Sequence, residues 1–410
     1  MATVVLMGTL DTKGREYAFV RDRLLGAGVQ PLVVDIGILG EPPFSPDVPA
    51  SEVAALGGRS LEELRFGGEG SDTRGVALGA MAEGAAALVR RLHAEGRCQG
   101  LLGLAGSGGS TVVSAAMRAL PVGVPKLLVT TMAGTVGADY VGTSDICLMS
   151  SVTDIAGLNR VSRAVLTNAA AAVAAMARGA AIEEAGSSAP LVALTMMGVT
   201  TPTVLALQSR LEALGFETIV FHAVGSGGQA LEEMVEGGLI DAVVDVTTHE
   251  LVDHALGGIF DAGPDRLAAI ARSGIPLVAV PGAMEFVNFG ARDTVPAHLD
   301  IPERSIVVHN PSVCAVRTTP EEQERLGRIF AAKVNETTGR AVVVLPLRGL
   351  SRYEEDGGPF VNVACDEAFF TAVRETLTER VALEEVDASI NQPAFVDALL
   401  AAFDGAWARR

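Results

Sequence analysis

Short apolar runs alternate with longer stretches of helical periodicity along the first half of the chain. The runs that we predict to be β-strands are 4–7, 31–36, 100–105 and 126–131. Helical patterns lie between them, for example at 17–25 and 76–93. This alternation is typical of a parallel sheet with helices on both faces. We therefore predict a doubly wound α/β lobe in this half.

The same pattern begins again after 181–190, a break in both periodicities that we interpret as a linker. Predicted strands follow at 191–196, 218–222, 241–246 and 276–280. Two landmarks recur at one offset, Gly28 with Gly215 and Asp35 with His222. They indicate a divergent internal duplication, although any two doubly wound lobes would align in a similar way. We predict two Rossmann-like parallel-sheet lobes, 1–184 and 185–410, with a cleft between them.

Composition agrees with two such lobes and excludes several partners. The chain has 410 residues, 49% of them hydrophobic, which is enough for two α/β cores. A formal net charge of −18 repels nucleic acids and anionic membranes, so we expect neither as a partner. The Ala-rich stretch 169–181 contains Arg178 and predicts a buried helix, not a membrane span. The apolar content leads us to expect a homo-oligomer, a dimer or larger.

The cysteines and the first residues of the chain indicate the cellular compartment in which the protein is located. Cys98, Cys147, Cys314 and Cys365 are dispersed, which is typical of a reduced protein without disulfides or structural zinc. Residues 1–8 are interpreted as a strand and not as a signal peptide. We predict a cytoplasmic protein with no metal site of its own.

The most informative motif is the cluster Gly106-Ser107-Gly108-Gly109-Ser110, between a predicted strand and a predicted helix that begins at 111. Glycines permit positive φ and close approach of the backbone to a ligand, and the free amides of a following helix attract anions. The spacing matches neither a Walker loop nor Gly-x-Gly-x-x-Gly. The cluster predicts a phosphate-binding loop, and the alternative is a tight turn that binds nothing.

Two other loops of the first lobe carry polar groups to the same edge of the predicted sheet. Candidate ligand-binding residues in them are Thr9, Asp11, Thr12, Lys13 and Gly134. The lysine would neutralise a phosphate, and Asp11 would orient a magnesium-bound water or a ribose hydroxyl. The alternative is that Asp11 or Thr12 caps the next helix and that Lys13 is solvated.

Asp35 ends the second predicted strand and is a further candidate. Its distance from Gly8 is compatible with the acidic residue that binds ribose hydroxyls in dinucleotide folds. It could equally cap a turn with Gly37. Oxidoreduction on a nicotinamide is disfavoured, because the dinucleotide fingerprint is missing.

The second lobe has titratable side chains after several of its strands. The catalytic candidates among them are His249, Glu250, Glu285, His309 and Arg317. A histidine beside a carboxylate suits proton transfer near neutral pH, and an arginine can bind a carboxylate or phosphate. For any single member, the alternative is a hydrogen-bonded residue without a catalytic role.

These motifs together resemble the family of the tomato mosaic virus resistance protein and its bacterial relatives. The resemblance spans essentially the whole chain and rests on residues 8–13, 106–110, 130–134, 309–311 and 316–319. It implies an ATP-binding domain in the first lobe, with Lys13, the 106–110 backbone and Gly134 as contacts. Ser60 and Arg74 are expected nearby, the arginine after the glycine-rich run 66–72. Magnesium would be carried by the nucleotide.

Two functions are compatible with these observations. In the first, the protein is an ATP-dependent phosphotransferase or ligase that acts on a small anionic metabolite in the cleft. His249, Glu250 or Glu285 would then be the general base, and an arginine would neutralise charge. In the alternative, ATP is a regulatory or structural ligand of a partner-binding module. The absence of a Walker-type lysine favours this alternative.

Overall fold

A computed structural model describes residues 1–66, 73–179, 189–302 and 304–408. The chain divides into two compact units, Met1–Gly186 and Ser187–Arg410. The boundary predicted after residue 184 lies outside the described residues, as do most of the predicted linker and residues 67–72 of the glycine-rich run. Each unit is an α/β unit built on a parallel sheet, which confirms the predicted fold class.

The first unit contains a five-stranded sheet in the order β2-β1-β3-β4-β5, with every neighbouring pair parallel. Its strands are β1 (Thr3–Gly8), β2 (Gln30–Asp35), β3 (Leu101–Ala105), β4 (Lys126–Thr130) and β5 (Cys147–Ser150). Its helices are α1 (Leu10–Gly26), α2 (Ala50–Leu56), α3 (Leu61–Phe66), α4 (Thr73–Ala94), α5 (Ser107–Arg118), α6 (Gly137–Val141) and α7 (Arg160–Gly179).

Helices cover both faces of this sheet because successive strand residues point to opposite sides. Val4 and Leu6 of β1 belong to one hydrophobic core, which also contains residues of α1 and α7. Val5 and Met7 belong to a second core, which contains residues of α4 and α5. A strand buried on both faces is apolar throughout, and this is why its position could be predicted.

The second unit contains a six-stranded parallel sheet in the order β14-β13-β9-β8-β6-β7 and a three-stranded antiparallel sheet in the order β10-β12-β11. Its strands are β6 (Leu191–Met196), β7 (Glu217–His222), β8 (Ala242–Asp245), β9 (Leu277–Ala279), β10 (Phe286–Phe289), β11 (Ile306–Asn310), β12 (Val313–Arg317), β13 (Ala341–Pro346) and β14 (Ala382–Val386). Its helices are α8 (Thr201–Ala213), α9 (Ser226–Glu236), α10 (Glu250–Leu256), α11 (Ala268–Ser273), α12 (Pro320–Asn335), α13 (Val363–Thr376) and α14 (Pro393–Trp407).

The two parallel sheets have the same winding. In each sheet, the second strand along the chain pairs with one edge of the first strand. The third, fourth and fifth strands then follow in order from the other edge of the first strand. The glycines after α1 and α8 both have positive φ, +76° for Gly28 and +91° for Gly215. This agreement fits an internal duplication, but it is also a general property of doubly wound sheets, so both alternatives stay open.

Within the described residues, no helix is both long and apolar enough to cross a bilayer. Residues 169–179 of the Ala-rich stretch lie in α7, where Ala169, Ala170 and Ala174 are packed into the core of the first unit, and residues 180–181 lie outside the described residues. The expectation that this stretch is a buried helix is therefore confirmed.

Candidate functional site

The predicted glycine loop is the first turn of a helix. Gly106 is the N-cap, with an extended backbone, and α5 begins at Ser107 instead of at 111. None of the glycines in the cluster has a positive φ, so the cluster does not use the positive φ that glycine permits. The Ser110 amide donates to the Gly106 carbonyl at 2.9 Å. The three amides before it have no partner within the helix, because a helix leaves its first amides free.

Close neighbours restrict position 109, and position 108 lies in ordinary contact with an arginine. A Cβ on Gly109 would lie 3.0 Å from the Cβ of Ala105, so a side chain there would press the first turn away from β3. A Cβ on Gly108 would lie 3.4 Å from Nη2 of Arg74, which places this arginine directly beside the helix N-terminus. The cluster therefore combines free amides with a nearby cation.

A cavity of about 500 Å³ opens at the same place. It lies beyond the carboxyl ends of β1, β2 and β3, at the point where the strand order reverses, which is the usual ligand position in doubly wound sheets. Polar groups at the cavity belong to Thr9, Asp11, Thr12, Arg65, Arg74, Gly108 and Gly109. Apolar side chains at the cavity include Ile36, Ile38, Leu39, Leu64, Leu78 and Met81.

Asp11 has one carboxylate oxygen in use and one without a partner. Its Oδ2 accepts hydrogen bonds from the amides of Leu39 at 2.8 Å and Gly40 at 3.2 Å. Its Oδ1 is shielded from solvent and has no hydrogen-bond partner among the described residues. A Cβ on Gly37 would lie 2.5 Å from this Oδ1, so only glycine at 37 permits the observed carboxylate position. The unmet acceptor belongs to a residue that lines the cavity.

The two cations predicted for this site are placed differently. Arg74 is exposed, lines the cavity and has no ion pair among the described residues. Lys13 lies at a kink in α1, and its Nζ donates to the Ile155 carbonyl at 2.7 Å. Lys13 does not line the cavity. Arg65 also lines the cavity, but its guanidinium donates to the Ile38 and Gly40 carbonyls and pairs with Glu41. Arg74 is therefore the lining cation without an ion pair among the described residues.

Asp35 holds the backbone beside the cavity. Its Oδ1 accepts from the amides of Leu10 at 3.0 Å and Gly37 at 2.8 Å. Burial raises the pKa of Asp35, and these two amides partly offset that effect. Asp35 thus positions the turns that carry Asp11 and Gly37, and it does not line the cavity.

The other predicted contacts are not brought to the cavity. Ser60 and Glu63 cap α3 reciprocally, with hydrogen bonds of 2.9 and 3.1 Å. The Ser110 hydroxyl is buried against that of Thr130, at 2.8 Å. Gly134 lies in an exposed turn after β4. Gly106 and Ser107 also lie outside the lining, so their predicted nucleotide contacts stay predictions.

Sequence reasoning missed the apolar wall of the cavity and the arginine that supports it. Arg65 donates from Nε to the Ile38 carbonyl and from Nη2 to the Gly40 carbonyl, both at 2.9 Å. It therefore fixes the loop whose amides orient Asp11. The apolar residues just after β2 were a visible signal, but the contribution of α3 and α4 depends on tertiary packing.

In the second unit, Glu250 is part of a buried ion cluster. Its Oε1 accepts from the amides of Gly225 at 2.7 Å and Gly228 at 2.9 Å, and its Oε2 accepts from Arg266 Nε at 2.7 Å. Arg266 also pairs with Asp245, and all three charged side chains are fully buried. These contacts give Glu250 a structural role, and its assignment as a general base stays a prediction.

His249 is fully buried beside another carboxylate. Its Nδ1 lies 2.6 Å from the Ala283 carbonyl, so this nitrogen carries a proton. Its Nε2 lies 3.2 Å from Asp253 Oδ1, without the alignment of a hydrogen bond. Burial lowers the pKa of His249, but Asp253, the Ala283 carbonyl and the Glu285 carboxylate together outweigh burial, so the pKa is raised overall. The ring packs on Phe286, with centroids 4.7 Å apart.

Glu285 and Arg317 lie in a second buried cluster. Glu285 accepts from the Ser351 hydroxyl through Oε1, and its Oε2 has no hydrogen-bond partner among the described residues. Burial raises the pKa of this carboxyl. All five N–H groups of Arg317 donate within the unit, to the carbonyls of Phe360 and Glu285, the Thr318 hydroxyl, and the carboxylates of Glu354 and Asp366. Arg317 therefore has no donor left for a substrate in this geometry.

His309 is separate from these clusters. It is exposed on β11, with its Nδ1 3.4 Å from the Tyr353 hydroxyl. In the described part of the chain, no group of three or more His, Cys, Asp or Glu side chains is placed to hold a metal ion. The five catalytic candidates thus do not form one open constellation.

Comparison with solved structures gives only distant likenesses. A Streptomyces glycosyltransferase, SsfS6, complexed with thymidine diphosphate, is 14% identical, with a TM-score of 0.23 over 68% of this chain and 82% of that one. MurG of Acinetobacter baumannii is 11% identical, with a TM-score of 0.23 over 98% of this chain and 100% of that one. Scores this low carry no argument about function, and the fold assignment depends on the strand order alone.

Comparison with known sequences is more specific. A protein of Clostridium tetani is 40% identical over 97% of this chain and 96% of its own length, and one of Rhizobium meliloti is 41% identical over 98% of each. The ToMV resistance protein Tm-1 of Solanum lycopersicum is 34% identical over 98% of this chain, which spans 55% of the tomato protein.

Two family models cover nearly all of the sequence. The N-terminal domain model of Uncharacterised protein family (UPF0261) matches residues 2–181, and the C-terminal domain model matches residues 189–407. These ranges correspond to the two compact units. The chain therefore belongs to the UPF0261 family, whose relatives include the tomato protein.

Proposed function

We propose that the first unit binds ATP in the cavity at the N-terminus of α5. The observation that carries this proposal is the combination, in one cavity of about 500 Å³, of anion-binding groups and apolar side chains. The phosphates would lie against the Gly108 and Gly109 amides and Arg74. The base would lie against the apolar side chains from the β2 end and from α3 and α4. The resemblance noted from the sequence points to the same nucleotide.

The local charge supports an anionic ligand in spite of the acidic chain. The N-terminus of a helix carries roughly +0.5 of an elementary charge, and α5 has 12 residues. Arg74 adds a full charge that no described carboxylate neutralises. Such a local site can outweigh a net charge of −18, because water and salt screen distant charges.

Two hypotheses, an enzyme and a binding module, differ in how the bound ATP is used. A phosphotransferase or ligase needs acid–base groups and a cation that reach a small anionic metabolite. Glu250 and Arg317, which we predicted for those roles, use their polar atoms inside the second unit. This observation favours the alternative, in which ATP is a regulatory or structural ligand of a binding module.

Several other expectations remain part of the proposal. They are a homo-oligomer, a small anionic molecule as second ligand, magnesium carried by the nucleotide, and a cytoplasmic location. The four cysteines are all free, as expected for a protein of a reducing compartment.

The test is calorimetric titration of the whole chain with ATP and magnesium. Gly108→Val places two methyl groups beside Arg74 at the cavity and should abolish binding. Gly79→Val is the matched control, because Gly79 is a helical glycine with no atom within 4 Å of an added Cβ. It should bind ATP as the wild type does. Absence of binding by the wild type, or equal binding by Gly108→Val, would contradict the proposal.

A second assay separates the two uses of ATP. The wild-type protein is incubated with ATP, magnesium and mixtures of small organic acids, and ADP and AMP are measured. Saturable binding without either product supports the binding module. Product formation that depends on one of the acids supports the transferase or ligase.

A further inference from the structure

We infer that Asp11 accepts a hydrogen bond from a ribose hydroxyl and thereby makes the cavity selective for ribonucleotides over deoxyribonucleotides. This inference rests on the proposed ATP site and names the part of the ligand that the carboxylate recognises. It concerns a specificity-determining residue and does not involve a chemical step.

The Asp11 carboxylate is held in a fixed position before any ligand binds. Two amides, those of Leu39 and Gly40, donate to Oδ2, and Arg65 fixes the carbonyls of the same loop. The close approach of Gly37 leaves the carboxylate no room to turn towards β2. A rigid acceptor of this kind can select a donor by geometry.

The free oxygen requires a donor. A carboxylate oxygen that is shielded from solvent without a hydrogen bond is costly, because it has lost water and gained no partner. Among the described residues that line the cavity, Asp11 alone has a buried side-chain oxygen or nitrogen without a partner. The Thr12 hydroxyl already donates to the Thr9 hydroxyl at 2.9 Å. A hydroxyl of a ligand bound in the cavity would supply the missing donor.

The negative charge of Asp11 determines which part of a nucleotide donates to its free oxygen. A carboxylate repels phosphate oxygens, and phosphates have a better position at Arg74 and the free amides of α5. The base has its place against apolar side chains. The sugar connects these two parts and carries neutral O–H donors, so its hydroxyls match the chemistry of Oδ1.

A magnesium ion at Asp11 is the competing explanation. Magnesium is usually held by one or two carboxylates together with phosphates and water. Asp11 has one free oxygen and no second carboxylate among the described residues that line the cavity, so the measurements below are made with and without magnesium to separate the two explanations. The hydroxyl explanation needs only the single acceptor that is present.

The test compares ATP with 2′-deoxy-ATP and 3′-deoxy-ATP by calorimetric titration of the whole chain, with magnesium and again with EDTA. The wild type should bind at least one deoxy analogue about tenfold more weakly than ATP, since a hydrogen bond to a charged group contributes this much or more. Asp11→Asn should lose this discrimination, because the amide nitrogen cannot accept a hydroxyl proton, while its oxygen can still accept the Leu39 and Gly40 amides.

Asp47→Asn is the matched control, because Asp47 is an exposed carboxylate of the same unit whose Oδ2 accepts from the Val33 amide, away from the cavity. It should keep the wild-type preference. Equal affinity of the wild type for all three nucleotides would overturn the inference, as would a preference that persists in Asp11→Asn. A loss seen only with magnesium would assign Asp11 to the metal and also overturn it. If the wild type binds none of the nucleotides, the proposed ATP site itself fails.

Discussion

Arg266 donates from Nε to the Glu250 carboxylate at 2.7 Å, and both side chains are completely buried. The same guanidinium lies 2.8 Å from Asp245 and 3.4 Å from Glu232. Glu250 also caps the region where α9 begins, through the amides of Gly225 and Gly228. The pair therefore connects β8, α9 and α10 within the second unit, and its contribution should be to stability.

We expect Glu250→Gln to destabilise the second unit by about 1–3 kcal/mol, the usual cost of leaving a buried hydrogen-bonding group without its partner, while Arg266 keeps its ion pair with Asp245. The glutamine NH2 group, a donor, would face either Arg266 Nε or the Gly225 and Gly228 amides, which are donors as well, so one set of contacts is lost. Urea unfolding can be followed by the fluorescence of Trp407, the only tryptophan of the chain, which packs on Phe403 and Phe216 in the second unit.

Asp387→Asn is the control for this measurement. Asp387 pairs with Arg348 on the surface, where ion pairs add little to stability. Its unfolding midpoint should equal that of the wild type. If the Glu250→Gln protein is as stable as this control, Glu250 does not contribute to the stability of the second unit.

The stability of the second unit should fall as the pH rises, because of Glu285. Burial raises the pKa of this carboxyl above its ordinary value of 4.5, so the folded state binds the proton more tightly than the unfolded state. The stability from this group is complete below pH 4.5 and is lost as the pH rises through the raised pKa. Burial also raises the pKa values of Glu354 and Asp366, which adds to the same trend.

Glu285→Gln should flatten this dependence, since glutamine resembles the protonated carboxyl at every pH. The measurement is urea unfolding reported by Trp407 at several pH values between 4.5 and 8.5. The exposed Glu324→Gln serves as a control and should keep the wild-type slope. A slope that is equal in Glu285→Gln and the wild type would contradict the assignment.

Arg74→Ala and Lys13→Ala should separate the two cations of the first unit. Removing Arg74 should weaken ATP binding about tenfold or more, because a charge-assisted contact with phosphate is lost. Removing Lys13 should leave the affinity within about twofold and lower the thermal stability, because its Nζ donates to the Ile155 carbonyl. If calorimetric titrations show weaker ATP binding by Lys13→Ala and unchanged binding by Arg74→Ala, Lys13 and not Arg74 contacts the phosphates.

The parallel strands could be predicted because they are buried on both faces. Val4 to Met7 are all apolar for this reason, and the order of such strands follows from simple winding rules. The antiparallel sheet could not be predicted in this way. Its strands are short, and β10 contains the buried Asn288, which breaks the apolar run.

The candidate site could be predicted in part. The glycine cluster predicted that Gly108 and Gly109 lie at a ligand site, and both line the cavity. Small residues are favoured where the first turn of a helix packs against the end of a strand, as Gly109 does against Ala105. The sequence favoured Lys13 over Arg74, whereas the structure places Arg74 at the cavity and Lys13 against Ile155. The kink at Lys13 and its contact with Ile155 depend on the packing of distant segments. The apolar wall and the unpartnered oxygen of Asp11 also arise from tertiary contacts that no local pattern encodes.

The central claim is that a nucleotide lies at the N-terminus of α5. The most direct measurement is amide hydrogen–deuterium exchange of the whole chain with and without saturating ATP. We expect slower exchange in peptides that contain residues 106–112 and 9–12, because the free amides of Gly108 and Gly109 gain phosphate partners. The N-terminus of α13, in the second unit, should not change. Unchanged exchange at 106–112 in the presence of saturating ATP would contradict the account.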